Sequence, residues 1–97
     1  MEKRFKHIWR AAPYTFKTED DGAVLFSSHT SLQTITLPDS PVAGYEVEVS
    51  YGPGLTPSLN ITVLSHTANI DGNPTFVVTP AVYHRGFIFD GTNWTSY

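Results

Sequence analysis

The 97 residues contain no cysteine, carry a formal charge of −3 and are 13% aromatic. This length implies one domain with one modest core to which a subunit interface can add stability; without cysteine, disulfides, thiolate metal sites and a cysteine nucleophile are excluded. No apolar run approaches the roughly 20 residues of a membrane-spanning helix, and Met1-Glu2-Lys3-Arg4 is not followed by a signal-peptide core, so a soluble chain without a cleaved signal is expected.

Charge is divided along the chain. Lys3, Arg4, Lys6, Arg10 and Lys17 oppose only Glu2 in the first seventeen residues, a balance of +4, whereas Arg85 opposes eight acids in the remainder, a balance of −7. Such a division suits an arm that lies across an acidic neighbour or an acidic copy of itself. Nucleic acid is the weaker partner, because there is no Gly/Arg repeat or second basic patch and the acidic body repels phosphates.

Residues 1–12 form that arm. Phe5, Ile8, Trp9 and Ala12 stand at helical spacing, which predicts one or two amphipathic turns ended by Pro13. A helix so short does not offset its nucleation cost unless it docks. Lys3, Arg4, Phe5, Lys6, Ile8, Trp9 and Arg10 are the candidate partner-binding residues, where charge attracts and burial of the apolar side chains retains; the equal alternative is that Ile8 and Trp9 fold back on their own subunit.

Residues 13–97 read as a single β domain. Pro13-Tyr14-Thr15-Phe16-Lys17 alternates with period two, and Thr18-Glu19-Asp20-Asp21-Gly22 reads as a solvated acidic turn without the donor spacing of a calcium loop. Ala23–Ser27 is a continuous apolar run, expected of a strand covered on both faces, and Ser31–Leu37 is a β-branched strand stopped by Pro38. Tyr45–Tyr51 alternates most regularly, placing Tyr45, Val47, Val49 and Tyr51 inward and Glu46, Glu48 and Ser50 outward. Glu46 and Glu48 lie about 7 Å apart on one strand face. A glycosidase pair is nonetheless rejected, since nothing local shields either acid.

Gly52–Pro57 is a loop without the Lys-Ser/Thr of a phosphate cradle, and Ser58–Leu64 and Thr75–Thr79 are further strands. Asp71-Gly72 and Asp90-Gly91 are hairpin signals, because glycine accepts the positive φ of a type I′ turn. The second folds the aromatic tail, Trp94 and Tyr97, back on Phe87-Ile88-Phe89 to close a core that also holds Tyr45, Val47, Val49, Ile61, Val63, Phe76 and Val78. Asn60-Ile61-Thr62 and Asn93-Trp94-Thr95 match the glycosylation triplet, which is read as coincidence because no signal peptide is expected. His7, His29, His66 and His84 are isolated, and no Gly-x-Ser-x-Gly, Ser/His/Asp set or cofactor fingerprint occurs. No catalytic, cofactor or metal residue is expected.

Short strands at about ten-residue spacing predict an all-β fold, a small antiparallel β-sandwich or barrel. In order, Tyr14-Thr15-Phe16, Asp20-Asp21-Gly22-Ala23-Val24-Leu25, Thr34-Ile35-Thr36-Leu37-Pro38, Val47-Glu48-Val49, Asn60-Ile61-Thr62-Val63, Ile70-Asp71-Gly72 and Phe89-Asp90-Gly91-Thr92-Asn93-Trp94 resemble the small β-modules of tailed-bacteriophage virion proteins. These modules occur in tail fibres, head fibres and capsid decoration proteins. The resemblance covers residues 13–97 and implies a homotrimer in the virion. A single module with a short basic arm and no coiled coil resembles a decoration (cement) protein more than a complete fibre. Its partner would be the major capsid protein or another virion protein, with neither nucleic acid nor membrane involved. The alternative that the resemblance leaves is a fibre receptor-binding module in which Trp9, Trp94 or Tyr97 stacks on a host surface glycan.

Overall fold

The computed structural model describes residues 6–10, 13–27, 33–51, 60–79 and 84–97. They form a two-layer all-β sandwich. One layer, sheet A, holds β1 (Lys6–Arg10), β3 (Ala23–Ser27), β5 (Glu46–Tyr51), β8 (His84–Phe89) and β9 (Trp94–Ser96), in the order β1-β3-β5-β8-β9. The other, sheet B, holds β2 (Tyr14–Thr15), β4 (Gln33–Thr36), β6 (Ile61–Leu64) and β7 (Thr75–Val78), in the order β2-β4-β6-β7. A 3-10 turn, Thr18–Asp20, joins β2 to β3.

The sandwich agrees with the reading of the sequence, but the sheets are mixed. From β1 to β6 each strand crosses to the opposite layer, so the next strand to reach a given layer runs in the same direction as its predecessor. The pairs β1–β3, β3–β5, β2–β4 and β4–β6 are consequently parallel. Beyond β6 the strict alternation ends: β7 stays in sheet B beside β6, the chain crosses once more to β8 in sheet A, and β9 stays there, so that β6–β7, β5–β8 and β8–β9 are antiparallel.

Lys6–Arg10 is a strand and not the helix that its apolar spacing suggests. A helix of one or two turns leaves most of its end groups unpaired, whereas pairing along five residues of β3, from Lys6↔Ala23 to Arg10↔Ser27, satisfies one side of the backbone and delivers Ile8 to the core.

Alternation decides what is buried. Ile8, Leu25, Val47, Val49, Tyr51, Phe87, Phe89 and Trp94 from sheet A meet Phe16, Ile35, Leu37, Ile61, Val63 and Val78 from sheet B. Phe76 packs at the margin of this cluster, its ring T-shaped against Phe87. Ala23–Ser27 is covered as expected, with Val24 buried although it faces away from the core and only Phe26 half-buried.

The two hairpin Asp-Gly pairs, 71–72 and 90–91, differ. Asp71 and Gly72 have φ of 50° and 91° between the paired residues Ile70 and Asn73, which is a type I′ turn. At the β8–β9 hairpin only Gly91 has positive φ; the loop spans residues 90–93, and the Asp90 carboxylate accepts the N–H groups of Thr92 and Asn93, both at 2.8 Å. The tail folds back as expected, through an Asx turn in place of a two-residue turn.

Candidate functional site

The candidate arm divides at residue 6. Lys3, Arg4 and Phe5 lie outside the described residues, and of Lys6, Trp9 and Arg10 only the backbone, within β1, is described. Ile8 is 6% exposed and belongs to the core of its own chain, so it does not serve as an anchor for a partner.

The acidic turn is not a solvated one. Asp20 is buried, and its Oδ2 accepts the Tyr14 hydroxyl at 2.6 Å and the Lys17 N–H at 2.9 Å. Half-buried Asp21 accepts the N–H of Glu46 at 2.9 Å, while Glu19 alone of the three acids stays outside. Tyr45, donating to the Lys17 carbonyl at 2.6 Å, completes a knot that fixes the start of β5. Burial first, and then the charges of Asp20 and Asp21, raise the Tyr45 hydroxyl well above the ordinary tyrosine range.

This shift sets an alkaline limit. The unfolded chain loses the tyrosine proton near pH 10 while the folded chain retains it, so the stabilising contribution is complete below about pH 10 and is lost as pH rises above it. Urea midpoints should fall between pH 9.5 and 11, with Tyr45→Phe flattening the fall at a cost of about 1 kcal/mol at neutral pH. Equal alkaline slopes for the two proteins would refute this role of Tyr45.

The outer face of sheet A is polar and titratable. Tyr97 lays its ring over Gly86, where an added Cβ would stand 2.4 Å from it, and its hydroxyl donates to the Glu46 carboxylate. That hydroxyl is also pushed above its ordinary range, by burial and by Glu46. His7 and His84 are exposed on the same face, His7 edge-on to Phe26 at 5.4 Å.

Sheet B presents a different outer face. Register places Thr15, Thr36, Leu64 and Thr75 in one row across β2, β4, β6 and β7, and Thr34, Thr62 and Val77 in a second. Every one of these side chains is exposed or half-buried, and β2, β4, β6 and β7 contain no charged residue. Neighbours about 4.8 Å apart within a row, and rows about 6.8 Å apart along the strands, make a continuous uncharged surface. Charged residues resume at its end, where Lys17, Glu19 and Asp39, together with His66, line an open groove of about 450 Å³ that Phe16, Leu37 and Pro38 also line. Covering such a face desolvates no ion, and the charged residues gather at one end of it.

Sequence reasoning missed this surface because each threonine looked like an ordinary strand former. The available signal was the absence of charge from four separate strands that share one layer. Trp94, a candidate sugar platform, is 1% exposed inside the core, whereas Tyr97 is 49% exposed. Among the described residues no three His, Asp or Glu side chains converge as a metal set. No protein-family model and no curated protein matches the chain.

Proposed function

We propose that this chain is a bacteriophage virion structural protein, a capsid decoration protein that binds the major capsid protein or another virion protein through the uncharged outer face of sheet B and so stabilises the particle. The observation that carries the reading is that face: two rows of threonine, valine and leucine without a charge, bordered by Lys17, Glu19, Asp39 and His66. The likeness of residues 13–97 to phage β-modules supplies the particle and a threefold assembly. Lys3, Arg4 and Phe5 would then assist in binding.

The test uses undecorated capsids. Thr62 is half-exposed and points outward from a central strand, so Thr62→Glu puts a charge in the middle of the face without entering the core. Occupancy should fall at least tenfold, about 1.4 kcal/mol, the cost of desolvating one carboxylate at an interface being of that order or larger. Glu48→Gln on the opposite layer should bind as the unmodified chain does. Equal occupancy for Thr62→Glu and the unmodified protein would exclude the sheet B face.

A fibre module that contacts host glycan is the second reading, favoured by the polar groove beside Lys17, Asp39 and His66. It requires glycan-array binding that Asp39→Ala abolishes and Thr62→Glu leaves intact.

A further inference from the structure

We propose that the outer edge of β7, which no described strand covers, is a self-association site, at which β7 of a second copy of this chain adds antiparallel across a twofold axis. The inference is independent of the capsid reading. Ser65 N–H donates to the Pro74 carbonyl at 2.9 Å. In an antiparallel ladder the direction of the backbone groups alternates, so Pro74, Phe76 and Val78 address β6 while Thr75 and Val77 turn their N–H and C=O groups to the open edge.

The other three sheet edges are ill-suited to such pairing. At β9 the Trp94 N–H donates to the Asn69 carbonyl at 2.8 Å, the Trp94 carbonyl accepts from Asp71 N–H at 3.0 Å and Ser96 N–H donates to Asp71 Oδ1 at 3.0 Å, so the 69–71 segment occupies the edge. The β2 edge is two residues long and preceded by Pro13. The β1 edge carries Lys6 and Arg10 in its sequence, so two copies would bring like charges together. Only β7 lacks both charge and proline over four residues, Thr-Phe-Val-Val, with Val77 45% exposed. An unprotected edge of this kind is a template for another strand.

The occupant follows from the register. Two outward residues separated by one inward residue are self-complementary about a twofold: Thr75 pairs with the partner's Val77, Val77 with the partner's Thr75, and Phe76 faces the partner's Phe76. Both outward residues of each strand are then satisfied by four hydrogen bonds. The half-buried Phe76 ring, over which the Arg85 guanidinium stands at 5.8 Å, also gains an apolar neighbour at the margin of the core. β7 itself carries no charge, and the Arg85 guanidinium over Phe76 is the cation that the twofold brings towards its own copy, so pairing should depend only weakly on salt and be slightly favoured by it.

Sedimentation equilibrium of the full chain across the micromolar to millimolar range, with amide hydrogen exchange, tests the site. A reversible dimer is expected whose dissociation constant changes less than twofold between 50 mM and 500 mM salt, with Thr75 and Val77 amides protected only at concentrations where the dimer forms. Val77→Pro removes an outward N–H and should abolish it. Val77→Lys changes an exposed side chain, keeps the fold testable and should weaken the dimer at least tenfold. A monomer throughout, or an oligomer of any size whose dissociation neither variant alters, overturns the proposal. A trimer indifferent to Val77→Lys would do so while leaving the threefold reading of the particle untouched.

Discussion

Deleting residues 1–12 should abolish cooperative folding or lower the urea midpoint severely, whereas deleting residues 1–5 should leave the sandwich intact. The longer deletion removes β1, and with it Ile8, which is 6% exposed in the core. Burial of one such side chain stabilises by about 1.5–3 kcal/mol, and the pairing of five residues with β3 is lost as well. The larger consequence falls on β3. Ala-Val-Leu-Phe-Ser is an interior strand, and without β1 its uncharged backbone becomes an open edge, prone to pair with other chains. Set against a total of about 5–15 kcal/mol for a small domain, these losses are sufficient for unfolding or aggregation. Circular dichroism during urea titration distinguishes the two deletions, and equal midpoints for the 1–12 deletion and the intact chain would show β1 to be dispensable. It follows that capsid-binding assays of the basic terminus should use the shorter deletion, which removes Lys3, Arg4 and Phe5 and keeps β1.

The layers were legible from the sequence to the extent that burial alone dictates them. Tyr45, Val47, Val49 and Tyr51 alternate with Glu46, Glu48 and Ser50, and the first four are buried. Ile61, Val63, Val78, Phe87, Phe89 and Trp94 are likewise inside. Strand direction was not legible, because side-chain alternation is the same for parallel and antiparallel neighbours, and only the connections tell them apart. The Asp-Gly pairs at 71–72 and 90–91 mark places where neighbours are antiparallel. Asp21-Gly22, of identical composition, instead passes the chain from one layer to the other. What separates them lies outside the dipeptide: Asp20 and Asp21 are held by Tyr14 and by Glu46, contacts 6 and 25 residues away.

The candidate site was less legible still. A period of about 3.6 through Phe5, Ile8, Trp9 and Ala12 competes with a period of two through the same few residues, and in so short a stretch tertiary pairing decides between them. Ile8 in the core is the result. The uncharged face of sheet B combines Thr15, Thr34, Thr36, Thr62, Leu64, Thr75 and Val77, which span 62 positions and become neighbours only through three strand registers. No local pattern could have assembled them.

Trp94→Ala should destabilise the protein by about 3–5 kcal/mol, the range for removing a large buried aromatic side chain, and Trp94→Phe by only about 1–2 kcal/mol. The ring is 1% exposed, T-shaped to Tyr45 at 5.8 Å and tilted on Phe89 at 5.2 Å, so alanine leaves a cavity that touches β5, β8 and β9 together. The backbone of residue 94 keeps its bonds with Asn69 and Asp71 whatever the side chain, and β9 therefore remains in place as the ring is lost. Surrounding structure that stays fixed cannot collapse into the space, which puts the cost toward the upper end of the range. Phenylalanine behaves differently for a second reason. The indole Nε1 is buried and meets no acceptor among the described residues, so replacing it removes an unsatisfied donor that costs the folded state about 1–3 kcal/mol. Lost packing and the relieved polar cost then act in opposite directions. Equilibrium urea unfolding should order the proteins Trp94, Trp94→Phe and Trp94→Ala from most to least stable, with the larger step between the two variants. Equal destabilisation by phenylalanine and alanine would show that Nε1 has a partner in the folded protein and that its hydrogen bond, more than the packing of the ring, holds the β8–β9 hairpin to the core.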